Sequence, residues 1–165
     1  MAMFTYQDYL NFNSKEDAEK QIAAFEKIQL SYDTLTELEK LKTPQEWIIL
    51  AEPFCPDCRV FVPIIEKMAR NNPLLTLRYI PRYDLEKAQL FDSSEQQKVI
   101  EETHSIPSAF LVGEKTTVIY QEFPSLVKEK MDQYPENYQM LRYAYREGGF
   151  TDLIEKQLVD FLLRK

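Results

Sequence analysis

Cys55 and Cys58 are the only cysteines in this 165-residue chain, and they stand three apart in the stretch EPFCPDCRV, with Pro56 and Asp57 between them. That spacing admits three chemistries: a redox dithiol, half of a metal site, or a pair of core residues. As a staple the pair is poor. A disulfide closing a four-residue loop removes only about 2 kcal/mol of chain entropy, against about 3 for a fifteen-residue loop. As core residues the two are oddly interrupted, because neither Pro56 nor Asp57 belongs in a core. Structural zinc takes four ligands. The one histidine, His104, lies far along the chain and there is no second Cys-x-x-Cys. A metal or iron–sulfur cluster would therefore have to bridge two chains, one cysteine pair from each.

The redox reading has positive support. The pair falls where a compact apolar run, 47–51, gives way to helical periodicity over 58–70 with Phe61, Ile64, Ile65 and Met68 on one face. Cys55 then sits at a helix N-terminus, where unpaired N–H groups and the helix dipole favour a thiolate. Cys58, one turn on, is placed to attack a mixed disulfide formed on Cys55. Pro56 suits the first helical turn, where its missing N–H costs nothing. We expect Cys55 to be the nucleophile and Cys58 the resolving thiol.

The surrounding pattern is α/β. Ser14 is expected to cap a helix running to about residue 30 with Ala18, Ile22 and Phe25 on its apolar face, and Asp33 a second one carrying Leu35, Leu38 and Leu41. Strands are expected at 47–51, 74–80, 108–112 and 117–123, the last two joined by a hairpin-sized loop at 113–116. Helical stretches are expected at 84–103, with a break at 92–94, at 125–147, interrupted at Pro135, and from a Thr151 cap to the end. Strand, helix, strand, helix, strand, strand, helix describes a mixed four-stranded sheet with helices on both faces. One domain over 1–165 is expected. It divides into a helical extension (1–44), a core (45–124), a helical insertion (125–149) and a last core helix (150–165).

These residues resemble the thioredoxin superfamily. CPDCRVFVPIIEKMA is similar to that family's active-site helix: the cysteine pair opens it, Pro63 stands where the family carries a kinking proline, and Ala69 also falls in place. HSIPSAFLV resembles the segment in which the family sets a cis-proline just before a strand, with Ile106-Pro107 in that role. The resemblance covers roughly 47–120 plus the final helix. It implies a thioredoxin-like fold, a dithiol–disulfide oxidoreductase, and a substrate groove formed by Phe54, Pro56, Asp57, Ile106 and Pro107. It implies no bound cofactor and no metal, only an electron donor such as a reductase or a low-molecular-weight thiol.

The departures from the family matter. Phe54 replaces a usual Trp, Pro56-Asp57 replaces Gly-Pro, and Ile49 stands where thioredoxins bury an aspartate that helps move the second thiol's proton. Glu52 and Asp57 are the nearest acids, and both are expected to be solvated. A carboxylate beside Cys55 disfavours its thiolate, so a reducing pair is expected. His104 is expected to be an exposed loop residue near the groove rim. The insertion carries the aromatics Tyr134, Tyr138, Tyr143 and Tyr145, with Tyr138, Leu141 and Tyr145 on one helical face, and these are expected to cover the sheet's edge as satellite core.

Composition narrows the partners. Apolar residues make up 44% of the chain, enough for a core, and 20 basic against 27 acidic side chains leave a net charge of −7. An acidic surface argues against nucleic acid and against an anionic membrane as partner. The first twenty residues have no basic start and no continuous apolar stretch, so no secretory signal is expected. The expected setting is the reducing cytoplasm, and the expected substrate a disulfide in a protein or a small molecule. The same fold and groove would also suit an adaptor with little redox turnover.

Overall fold

The computed structural model describes residues 4–82 and 90–164. The chain runs through α1 (Tyr6–Leu10), α2 (Lys15–Lys27), α3 (Tyr32–Leu38), β1 (Gln45–Leu50), α4 (Pro56–Asn71) and β2 (Leu75–Ile80). It continues through α5 (Ser94–Thr103), β3 (Ser108–Leu111), β4 (Thr117–Gln121), α6 (Ser125–Gln133), α7 (Tyr138–Arg146) and α8 (Thr151–Leu162). The four strands form one mixed sheet in the order β2-β1-β3-β4. β1 pairs parallel with β2 and antiparallel with β3, and β3 pairs antiparallel with β4. This is the α/β sheet expected from the apolar runs.

β1 is the centre of the core. Successive strand residues point to opposite faces, yet Trp47, Ile48, Ile49 and Leu50 are all wholly buried, so both faces of the sheet are covered. Each such side chain contributes roughly 1.5–3 kcal/mol of burial. On the α4 side, Phe61 stacks on Tyr120 of β4 with ring centroids 4.3 Å apart. β2 is an edge strand, and the N-terminal segment covers its margin: the Tyr79 N–H donates to the Phe4 carbonyl at 2.8 Å. Tyr9 of α1 stacks on Tyr79 at 5.0 Å, and the Tyr79 hydroxyl donates to Glu66 of α4 at 2.8 Å. The N-terminal helices thus share the sheet's core.

Several local expectations are corrected. α1 was not foreseen, although Thr5 and Asp8 form a reciprocal capping box around its first turn. α2 ends at Lys27, and on it Gln21 is buried while Ile22 is exposed, because Gln21 reaches in to donate to the Pro53 carbonyl. α3 is capped by Ser31, two residues before Asp33. In β2 the outward position Arg78 is wholly buried, its guanidinium bonded to both carboxylate oxygens of Asp92. α8 begins at Thr151, which is its first residue and not its cap. The N-terminal part of the helix expected at 84–103 lies outside the described residues. Its remainder is α5, which Ser93 caps.

Candidate dithiol site

The turn after β1 delivers the cysteines. The Cys55 N–H donates to the Glu52 carbonyl at 3.1 Å. Cys55 is then the N-cap of α4 in extended conformation, with Pro56 in the first turn. Its Sγ accepts the backbone N–H of Cys58 at 3.4 Å. This is the bond a Ser or Asp cap would make, here made to sulfur. Cys55 is 8% exposed and Cys58 fully buried, and both are free thiols.

The two sulfurs differ electrostatically. The hydrogen bond from the Cys58 side chain holds Cys55 below the ordinary thiol range, against the opposing pull of burial. Backbone N–H groups of Cys58 and Asp57 act in the same lowering direction, and the Asp57 charge acts against it. Burial pushes Cys58 well above that range, and its bond to Cys55 pushes it further. Of the two, Cys55 is the readier to ionise and Cys58 the readier to keep its proton. That asymmetry is what a nucleophile with a resolving partner requires.

The acids near the pair are not solvated as expected. Asp57 is 5% exposed and Glu52 1% exposed. Asp57 forms a side-on ion pair with Arg146 of α7, Nε to Oδ1 at 2.8 Å and Nη2 to Oδ2 at 3.4 Å. The physical reason for the correction is that α7 packs over the start of α4 and takes the Asp57 carboxylate out of water. Glu52 accepts from the Asn13 side-chain amide at 3.3 Å. Asn13 in turn accepts the Phe54 N–H at 2.9 Å. Arg59 ties the same turn down, donating to the Pro53 and Phe54 carbonyls and pairing with Asp17 of α2. The stretch from α1 to α2 therefore fixes the loop on which Cys55 rides.

The sheet register places the proline segment. Leu50 is opposite Ser108 across β1 and β3, so Ile106 and Pro107 lie beside the turn that follows β1. The Ile106–Pro107 peptide is cis, and both residues are buried. The Pro107 carbonyl accepts the N–H of Glu122 at 2.7 Å, and Glu122 is held at a positive φ of 66°. Among the described residues no backbone group pairs with the N–H or C=O of Ile106. Phe54 is about one-third exposed at the other side of the turn. Thus Phe54, Cys55, Pro56 and Asp57 come from one loop and helix start, and Ile106 and Pro107 from the loop beside it. His104 is exposed and left-handed, where it ends α5.

Sequence reasoning missed Arg146, Asn13, Gln21 and Tyr9. The last is a buried phenol that feels the charges of both Cys58 and Cys55. None of the four stands in a recognisable motif, and each reaches the site only through tertiary packing. Among the described residues no three His, Cys, Asp or Glu side chains are gathered to hold a metal ion. No helix among them is long and apolar enough to cross a membrane.

A family model described as thioredoxin matches residues 3–136. The chain belongs to the thioredoxin family. The match takes in α1 to α3 as well as the sheet, and ends before α7. Solved structures agree on the fold. A protein of unknown function from Pseudomonas aeruginosa superposes with a TM-score of 0.69 at 14% identity, over 97% of this chain and 92% of that one. An HIV epitope scaffold superposes with the same TM-score, identity and coverage. A comparison with curated proteins gives no match. Within the thioredoxin frame Pro63 lies inside α4 and is buried, and Ile49 is fully buried in β1.

Proposed function

We propose that this thioredoxin-family protein is a dithiol–disulfide oxidoreductase that reduces a disulfide in a protein or a small molecule. The observation that carries the reading is the asymmetry of the pair: a thiolate-favouring Cys55 at the helix N-cap and a buried, proton-holding Cys58. In the first step the Cys55 thiolate attacks one sulfur of the substrate disulfide, forming a mixed disulfide and releasing the other sulfur as a thiolate. Cys58 then gives up its proton and attacks Cys55 Sγ. The Cys55–Cys58 disulfide forms, the second substrate sulfur leaves, and two electrons have passed to the substrate. A reductase or a low-molecular-weight thiol returns the electrons, and no bound cofactor is called for.

The substrate would lie against Phe54, Pro56 and Asp57 on one side and Ile106 and Pro107 on the other. The unclaimed backbone of Ile106 is suited to pairing with an extended segment. Dithiol reduction of this kind belongs in a reducing compartment, and we assign the protein to the cytoplasm on that chemical ground.

A second reading, a groove-bearing adaptor with little turnover, is favoured by one observation. The position of the family's buried aspartate holds Ile49, deep in apolar surroundings. Cysteine substitution separates the two. With a thiol donor and a protein disulfide as substrate, the oxidoreductase predicts turnover that Cys55→Ser abolishes. It also predicts a mixed disulfide that accumulates on Cys55 in Cys58→Ser. Partner binding that persists in Cys55→Ser, without any turnover by the unaltered protein, would establish the adaptor instead.

A further inference from the structure

Asp57 presents a problem that its neighbours answer. It sits between the two cysteines, almost wholly buried, with a charge that opposes the ionisation of Cys55. A carboxylate in such a place is costly unless paired and hydrogen-bonded. The partner comes from 89 residues away: the Arg146 guanidinium meets both Asp57 oxygens, at 2.8 and 3.4 Å.

The arginine is not free to wander. Its neighbour Tyr145 is fully buried, its hydroxyl 2.6 Å from that of Tyr120, and its ring stands edge-on to Phe123 at 4.9 Å. Tyr120 in turn stacks on Phe61 of α4. Just beyond Arg146 the helix is closed by Gly148, whose φ of +85° only glycine adopts readily and whose N–H donates to the Tyr145 carbonyl. A closed circuit results, from α4 through Phe61, Tyr120 and Tyr145 to Arg146 and back to α4 at Asp57.

We propose that Arg146 is a positioning residue of the dithiol site: by holding Asp57 in a fork, α7 fixes the charge beside Cys55 and so sets the nucleophilicity of that sulfur. This rests on the redox reading of the pair and deepens it. Among the described residues, the titratable groups that interact with one or both sulfurs include Asp57 on their own helix, Tyr9 from α1, Tyr120 from β4, and Tyr145 and Arg146 from α7. Of these Arg146 is the cation, and its charge is felt at Cys55 as well as at Asp57. Removing it leaves an uncompensated carboxylate next to the nucleophile. Removing Asp57 leaves the cation.

The test is the pH profile of Cys55 alkylation by iodoacetamide in the full chain, read by mass spectrometry, with circular dichroism to show that each variant is folded. Arg146→Gln is expected to move the midpoint up by about one pH unit, the low end of what an adjacent opposite charge does, because the guanidinium touches Asp57 and acts on Cys55 from beyond it. At pH 7 the rate then falls about threefold, because a roughly tenfold loss of thiolate is partly offset by the greater intrinsic nucleophilicity of the more basic sulfur. Asp57→Asn is expected to move the midpoint down, the double variant to lie between, and Arg146→Lys to recover part of the loss. Opposite signs for the two single variants are what a purely structural role for the pair would not give. A midpoint unmoved in folded Arg146→Gln, or moved in the same direction by both single variants, overturns the proposal. Alkylation needs no turnover, so the result stands apart from whether the pair reduces disulfides.

Discussion

Hydrogen bonding at one sulfur and burial at the other divide the two thiols in their readiness to ionise. Hydrogen bonds from Cys58 pull the Cys55 sulfur below the ordinary thiol range, and burial beneath the turn drives Cys58 above it. The sign for reactivity follows directly. A lowered value gives Cys55 a larger thiolate fraction at neutral pH than a free cysteine has, and a raised one keeps Cys58 protonated there. Cys55 of the reduced, folded protein is therefore expected to alkylate with a midpoint below about 8.5, the value of a free cysteine. Cys58 should stay unlabelled across that titration. In denaturant both should label together near the free value. Mass spectrometry of the singly labelled product reads the order. Preferential labelling of Cys58 would reverse the roles assigned here.

At the scale of elements, the site is assembled from pieces the sequence makes legible to different degrees. The strand-to-helix turn, α4 with Pro63, and the proline segment before β3 could all be read, because each is written in a local pattern of apolar residues, prolines and spacing. The N-terminal helices and α7 could be seen as helices but not placed, since nothing local says which face meets the site. Asn13 and Arg146 gave no signal for the same reason: one amide and one guanidinium look like any other surface residue until packing brings them to Phe54 and Asp57. Asp57 misled in the other direction, since a carboxylate between two cysteines reads as solvated unless its distant partner is known. α7 is joined to the sheet through the buried hydroxyl pair of Tyr120 and Tyr145. Tyr145→Phe leaves the Tyr120 hydroxyl buried without that partner, and we expect a loss of about 1–3 kcal/mol in urea unfolding. Replacing both tyrosines by Phe should cost less than the sum of the two single changes. Simple additivity would show that the two hydroxyls do not depend on each other.

Across the whole molecule, the N-terminal extension is continuous with the sheet's core. Tyr9 of α1 stacks on Tyr79 of β2, and the Ser31 N–H donates to Glu155 of α8 at 2.9 Å, which joins the start of α3 to the last helix. We expect one cooperative transition over the full chain. The sole tryptophan, Trp47, is buried in the central strand. Its fluorescence should therefore lose native signal at the same denaturant concentration as the far-ultraviolet helical signal. Separate midpoints would mean that the outer helices form a unit of their own. The central claim, that Cys55 and Cys58 exchange electrons with disulfides, is tested most directly by the reduction potential of the pair. The protein would be equilibrated in graded thiol–disulfide buffers, alkylated and weighed. The account predicts a reversible two-electron transition near or below the cytosolic range, about −220 to −320 mV. A pair that never closes, or that closes only at strongly oxidising poise, would contradict it.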